Sequence, residues 1–260
     1  MRVLVTGASR GIGRAICLRL VQQGATVVAS ASSMESGLSA LVDEASSNSG
    51  TIIPLISDLA DASSPEQLVH AAVEKLGGLD GLVSNAGVSR PASLSELRLE
   101  DWEYLMNVNV RAPWLLAKAA YASLRASRGS MVSVASMSGV QPYPNMGAYS
   151  PSKAGVLMLV RVLAQEWAAD GIRVNSVSPG LIHTTLTEAI YANADIKQAR
   201  EQLIPMHRIG DPDQDIAGVV AFLLNADSAY ITGQNILADG GLMDAIHAQI
   251  VGRPASRVKS

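Results

Sequence analysis

The stretch that decides the fold is RVLVTGASRGIG, residues 2–13. An apolar, β-branched run, Val3 to Val5, passes straight into Gly7, Gly11 and Gly13, with small or polar residues at nearly every position between them. A strand here enters a turn with unusual backbone freedom and then a helix. In that helix Ile12, Ile16 and Leu20 recur at helical spacing, and Arg14, Gln22 and Gln23 take the polar side. A helix that starts at the carboxyl end of a strand presents unpaired N–H groups and the positive end of its dipole, which favours anions. Glycines at such a turn let a phosphate approach the backbone, and they also serve simply to fit a strand against a helix. The spacing, Thr6-Gly7-x-x-x-Gly11-x-Gly13, is not the better-known G-x-G-x-x-G.

The alternation continues along the chain. Strands are expected near Val3–Thr6, Thr26–Ser30, Thr51–Ile56, Leu79–Ser84, Ser130–Ala135, Ile172–Val177 and Asn235–Ala238, with amphipathic segments between them. Such alternation implies right-handed crossovers and a covered parallel sheet. The expected fold is therefore α/β: a single-domain, Rossmann-like, doubly wound parallel sheet of about seven strands with helices on both faces. Residues 1–245 are assigned to that domain, including a lid near residues 181–209, where Pro205 sits in a stretch with no clear strand. Residues 246–260 read as a polar tail.

Composition narrows the function. The 260 residues are 48% hydrophobic and 17% charged, enough for one sizeable core. A net charge of −3 argues against a nucleic-acid or acidic-membrane partner, since either would want a basic excess. Cys17 is the only cysteine and cannot form an internal disulfide, so a reducing, cytoplasmic setting is expected. The longest apolar stretch, GVLMLVRVLAQEWAA, is interrupted by Arg161 and Glu166 too soon for a membrane span, and no basic-then-apolar leader is read before the first strand.

Further motifs follow in order. Ser84-Asn85-Ala86-Gly87 ends the fourth expected strand, Tyr149-Ser150-Pro151-Ser152-Lys153 opens a helix, and Pro179-Gly180 follows the sixth strand. From Arg2 to about Gly241 the chain resembles the short-chain dehydrogenases/reductases of the compact, single-domain type. The Tyr–Lys pair can also be argued from the residues alone. Positions four apart share a helix face, and of the six tyrosines only Tyr149 has a lysine four residues later. A free tyrosine titrates near pH ~10, too high to shuttle protons near neutrality. A unit positive charge ~4 Å away at an effective dielectric of ~20 is worth up to ~4 kcal/mol, so Lys153 is expected to lower the Tyr149 pKa.

The resemblance implies the rest of the site. Ser136 matches the serine that hydrogen-bonds the substrate oxygen; its neighbours Ser133 and Ser138 fall inside the strand and outside the spacing. Asn109 matches the asparagine that holds a water against the lysine, with Asn107 its rival. The implied cofactor set begins with Gly7, Ser9, Arg10, Gly11, Ile12 and Gly13 in the glycine loop. It continues with Ser32 after the second strand, Asp58 and Leu59 near the adenine, and Asn85, Ala86 and Gly87 on the ribose side. Tyr149 and Lys153 complete it with Pro179, Gly180, Ile182 and Thr184 toward the carboxamide. Asp58 also suits a turn or helix cap. No metal is part of the expectation.

NAD-selective folds place an acid at the end of the second strand, where this chain has Ala29-Ser30-Ala31-Ser32-Ser33. Glu35 is close by, but Ser32-Ser33-Met34-Glu35 has the form of a helix capping box. Arg10 is placed to meet a 2′-phosphate. NADP (as NADPH) is therefore the expected cofactor, with NAD as the alternative. The substrate walls are expected from Ser136, Gln141, Tyr143, Met146, His183 and Leu186, mostly apolar or neutral. No lysine or arginine occurs between Lys153 and Arg161 or between Arg173 and Lys197, and only Arg90 could reach in, so a neutral carbonyl compound or secondary alcohol suits best.

The resemblance implies a homo-dimer or homo-tetramer. The run Val156–Leu163 on the Tyr149 helix suits an interface or an ordinary core helix. Two alternatives stand beside this reading. One is a 3-oxoacyl-carrier-protein reductase, which usually shows basic residues for an acidic carrier. Here Ala168-Ala169-Asp170 is acidic, and only Arg125 and Arg128 compensate. The other is a non-catalytic, nucleotide-sensing regulatory protein, which would not need the intact Asn109–Ser136–Tyr149–Lys153 set.

Overall fold

The strands alternate their side chains between two buried faces. Val3, Val5, Val27, Ala29, Val83 and Val132 belong to one hydrophobic cluster, and Leu4, Val28, Leu82 and Met131 to the other. Because both faces are covered, each strand reads as a continuous apolar run rather than an alternating one. The computed structural model describes residues 1–34, 37–185 and 187–249.

The strands are β1 (Arg2–Thr6), β2 (Thr26–Ala31), β3 (Thr51–Ile56), β4 (Gly81–Ser84), β5 (Ser130–Val134), β6 (Arg173–Pro179) and β7 (Asn235–Ala238). They form one seven-stranded sheet in the order β3-β2-β1-β4-β5-β6-β7, every pair parallel. The order reverses between β1 and β4, which opens a crevice at the carboxyl ends of those strands. One face is packed by α1 (Gly11–Gln22), α2 (Leu38–Ala45) and α9 (Gly218–Leu224), the other by α3 (Ser64–Leu76), α5 (Ala112–Ser127) and α6 (Tyr149–Trp167). The remaining helices are α4 (Leu99–Met106), α7 (Glu188–Tyr191) and α8 (Ala194–Leu203). A buried leucine such as Leu4 contributes about 2 kcal/mol over its exposed form.

Several strand ends shift by a residue or two, and three differences have a local cause. β4 begins at Gly81 rather than Leu79, because Asp80 is diverted to β1: its carboxylate takes the Arg2 guanidinium at 2.6 Å and the Arg2 N–H at 2.8 Å. α2 starts at Leu38 behind Gly37, whose φ of 104° breaks the chain, so Ser32 is not its cap; Glu35 lies outside the described residues. A 3₁₀ turn, Leu242–Gln249, runs past the expected boundary at 245, and the rest of the tail lies outside the described residues. Between Leu181 and Ile209 the chain forms α7 and α8, clasped at the base by a parallel bridge of Ile182 with Gly210.

Candidate active site

The crevice is built first by hydrogen bonds between two loops. Thr6 Oγ1 accepts from the N–H groups of Asn85 (3.1 Å) and Ala86 (3.2 Å), while Asn85 Nδ2 donates to the carbonyls of Thr6 (3.0 Å) and Gly7 (3.1 Å). This closeness explains two of the three loop glycines. A Cβ on Gly7 would lie 2.8 Å from Ala86 Cα, and one on Gly13 only 2.2 Å from the Gly7 carbonyl oxygen. Gly11 meets only Thr184, at 3.4 Å. Behind it α1 begins with no side-chain cap and no acid in its first turn, so its first N–H groups lack a side-chain partner.

These groups border a cavity of about 320 Å³. The structure brings to it Gly7, Ser9, Arg10, Gly11, Ile12, Gly13, Ser32, Asp58, Leu59, Asn85, Ala86, Gly87 and Thr184, as expected from the sequence. Tyr149 and Lys153 do not line it, and neither do Pro179, Gly180 and Ile182. A Cβ on Gly180 would lie 2.6 Å from Asp239 Cα, Pro179 ends β6 beside Ala238, and Ile182 is buried in the bridge to Gly210. Pro179, Gly180 and Ile182 hold the base of the following loop. Asp58 accepts from the Ala60 N–H at 3.0 Å, so it serves its turn while its side chain stays exposed.

The cavity also takes Ser57, Val88, Tyr104 and Val108, which sequence reasoning missed. Ser57 directly follows a strand and was findable by that position; Tyr104 and Val108 come from α4 and the turn after it and carry no local signal. Ser57 Oγ is buried with no partner. An uncapped helix start and an orphaned hydroxyl around one glycine-walled cavity fit a phosphorylated dinucleotide.

Asn109 sits in a π-helical turn, Asn107–Arg111, whose extra residue interrupts the helix between α4 and α5. Its side chain is buried and fully engaged: Oδ1 accepts from the Val88 N–H (2.9 Å), and Nδ2 donates to the Val88 carbonyl (3.0 Å) and to Ser152 Oγ (3.0 Å). α6 opens at Tyr149, and Pro151 falls in its first turn, where a missing N–H does no harm. Lys153 is buried, and Nζ donates to the Val134 carbonyl at 3.0 Å. A Cβ on Gly87 would lie 3.3 Å from that Nζ, so the lysine stands directly behind the cavity wall.

Burial pushes the Lys153 pKa down to about 8. Burial also pushes the Tyr149 phenol above its ordinary value, and a hydrogen bond with Ser136 pulls the other way. The expected lowering of Tyr149 by Lys153 is thus corrected: in the polypeptide itself desolvation wins. Ser136 Oγ also accepts from the Ser138 N–H at 3.1 Å, capping the Met137–Gly139 turn. Ser133 is buried inside β5 with no partner for its hydroxyl, and Ser138 is buried, leaving Ser136 against Tyr149.

Among the expected substrate residues, Gln141 and Tyr143 are exposed and Met146 is half-buried. His183 stacks on Tyr191 with ring centroids 5.6 Å apart and borders an outer cavity with Arg14 and Asp213 instead. Leu186 lies outside the described residues. Arg90 is drawn over the Tyr104 ring, 5.1 Å from its centre, and toward Asp101 at 3.8 Å.

The sequence model of a family described as enoyl-(acyl carrier protein) reductase matches residues 7–243. A 3-oxoacyl-[acyl-carrier-protein] reductase of Thermotoga maritima is 38% identical over 241 residues, covering 92% of this chain and 96% of the relative. A candidate short-chain alcohol dehydrogenase from Sinorhizobium meliloti superposes with a TM-score of 0.89 at 36% identity, covering 94% of this chain and 97% of that one. A candidate 2-deoxy-D-gluconate 3-dehydrogenase from Agrobacterium tumefaciens, solved with NADP bound, gives 0.83 at 35% identity over 93% and 96%. The chain belongs to the short-chain dehydrogenase/reductase family and is an NAD(P)-dependent oxidoreductase.

Proposed function

We propose that this protein interconverts a neutral carbonyl compound and a secondary alcohol, with Tyr149 as acid/base and NADP as the preferred cofactor. The observation that carries the reading is the meeting of three side chains: Ser136 hydrogen-bonds Tyr149, and Lys153 Nζ lies 5.7 Å from the centre of the Tyr149 ring and directly behind Gly87 of the cavity wall. A nicotinamide cofactor held in that cavity would supply hydride transfer to or from the substrate carbon. Tyr149 gives a proton to the carbonyl oxygen or removes one from the alcohol. Ser136 holds that oxygen with a hydrogen bond. Lys153, about nine-tenths protonated at pH 7 for a pKa of about 8, supplies positive charge near the phenol. Asn109 fixes the Val88 backbone and the first turn of α6.

NADP is favoured by charge. The end of β2 carries no carboxylate in Ala31, Ser32 or Ser33, and exposed Arg10 borders the cavity from the glycine loop. A guanidinium there suits a 2′-phosphate. The NADP-bound neighbour from Agrobacterium supports the same preference. The family likeness also supports a dimer or tetramer. Trp114 on α5 and Met158 and Val162 on α6 are exposed, while Val156, Val160 and Leu163 of the same helix are core. A cytoplasmic setting agrees with the buried thiol of Cys17; among the described residues no helix is long and apolar enough to cross a membrane.

The named relatives favour a second reading, reduction of a carrier-bound 3-oxoacyl group. Against it, Arg125 is held by Asp170 at 3.0 Å, which removes half of the basic patch that could meet an acidic carrier. Fluorescence titration with NADPH and NADH, followed by a screen of neutral ketones and a 3-oxoacyl carrier, tests the proposal. Tight NADPH binding with turnover of free ketones is expected. Preference for NADH overturns the cofactor assignment, and turnover of the carrier alone overturns the substrate class.

A further inference from the structure

Ser152 is fully buried in the first turns of α6, one residue before Lys153. Its hydroxyl donates to the Tyr149 carbonyl at 2.7 Å and accepts from Asn109 Nδ2 at 3.0 Å. A serine bonding back three residues is by itself a local helix habit. The difference here is the second bond. Through Asn109, whose other contacts all go to Val88, the hydroxyl joins the cavity wall after β4 to the backbone of Tyr149 itself. Val88 borders the glycine-lined cavity, so one unbroken chain of hydrogen bonds runs from that wall to the Tyr149 turn. The Asn109 amide has no spare donor: one N–H goes to Val88 and the other to Ser152. A purely space-filling position would take alanine, which has better helix propensity and hides no hydroxyl.

From this juxtaposition we infer that Ser152 is a positioning residue for the reaction, one that locks the Tyr149 turn in register with the cavity wall. The inference rests on the reading of Tyr149 as the acid/base. It is tested with Ser152→Thr and Ser152→Val, two side chains of nearly equal shape that differ in the hydroxyl. The threonine enzyme is expected to stay within about threefold of the parent in kcat. The valine enzyme is expected to lose roughly tenfold in kcat, with KM for the ketone and affinity for NADPH within about twofold, the effect of one net hydrogen bond.

A second readout needs no turnover. The near-ultraviolet phenolate signal of each variant, taken against the same variant carrying Tyr149→Phe, reports the ionisation of Tyr149 alone. A loosened turn lets water reach the phenol, so its pKa falls toward the ordinary value in the valine protein and not in the threonine protein. Valine and threonine alike in both readouts overturn the inference. If both branched side chains prevent folding, Ser152→Ala decides instead: parental kcat and parental titration sink it. Should the parent reduce no ketone with either cofactor, the functional reading fails while the titration still decides the role of Ser152.

Discussion

Lys153→Met should stabilise the protein while abolishing turnover. The lysine is almost completely buried, and burial moves its pKa from 10.5 to about 8. At about 1.4 kcal/mol per tenfold change in proton affinity, holding the charge inside at pH 7 costs about 3 kcal/mol. Methionine fills similar space without charge and gives up one bond to the Val134 carbonyl, worth about 1 kcal/mol. The net gain at pH 7 is therefore about 2 kcal/mol, measurable by urea denaturation of the cofactor-free protein. The sign with pH is specific. A lysine with a lowered folded pKa penalises the fold fully below pH 8, and the penalty disappears as pH rises from about 8 toward 10.5. The advantage of Lys153→Met should then shrink across that window. An advantage that does not change with pH, or a methionine variant less stable than the parent at pH 7, would refute the argument that desolvation dominates.

Three other outcomes are expected. Arg10→Ala should weaken NADPH about 10- to 100-fold and leave NADH within about twofold, as measured by fluorescence titration, because only the former loses a charge-assisted bond. Gly13→Ala should abolish cofactor binding or folding, since its methyl would lie 2.2 Å from the Gly7 carbonyl; Gly218→Ala, with nothing within 4 Å, should instead raise stability by about 0.5–1 kcal/mol. Asp80→Asn should lower thermal stability at pH 7, and the gap to the parent should close below about pH 4. Arg2 holds the Asp80 pKa below the ordinary value, so the ion pair stabilises above that range and is lost on protonation.

The sheet was legible because two-sided burial writes each strand as an unbroken apolar run, as in Val3–Val5 and Met131–Val132. Its errors sit where side chains, not periodicity, set the boundary, as when Asp80 turns aside to bind Arg2. The proposed catalytic set could be named from sequence because Tyr149 and Lys153 are four residues apart and Ser136 lies thirteen residues before Tyr149. Their electrostatics could not be, since desolvation depends on neighbours from β5 and the loop after β4 that no local pattern records. For the same reason Tyr104, Val108 and the Ser152–Asn109 bond were invisible: each is a contact between segments far apart in the chain. The stacking of His183 on Tyr191 was likewise invisible, because Tyr191 comes from a short helix that periodicity cannot detect.

The polar groups around the crevice divide into two kinds, and the division locates the ligand. The Thr6 hydroxyl, the Asn85 amide nitrogen and the Asn109 side chain are engaged by partners within the protein, so they build the walls. The first N–H groups of α1, the Ser57 hydroxyl and the Arg10 guanidinium are placed differently. The helix start has no side-chain cap, the hydroxyl is buried and unpaired, and the guanidinium is exposed. Folding ordinarily satisfies buried polar groups, because leaving one unmade costs about 1–3 kcal/mol. Among the described residues other buried side chains also lack partners, Ser133 inside β5 and Tyr191 on α7 among them, but Ser57 is the one that borders this cavity, beside the start of α1 and Arg10, all donors suited to phosphate and hydroxyl oxygens. The polypeptide therefore carries its binding specificity as unsatisfied hydrogen-bonding capacity, which a phosphorylated dinucleotide would complete.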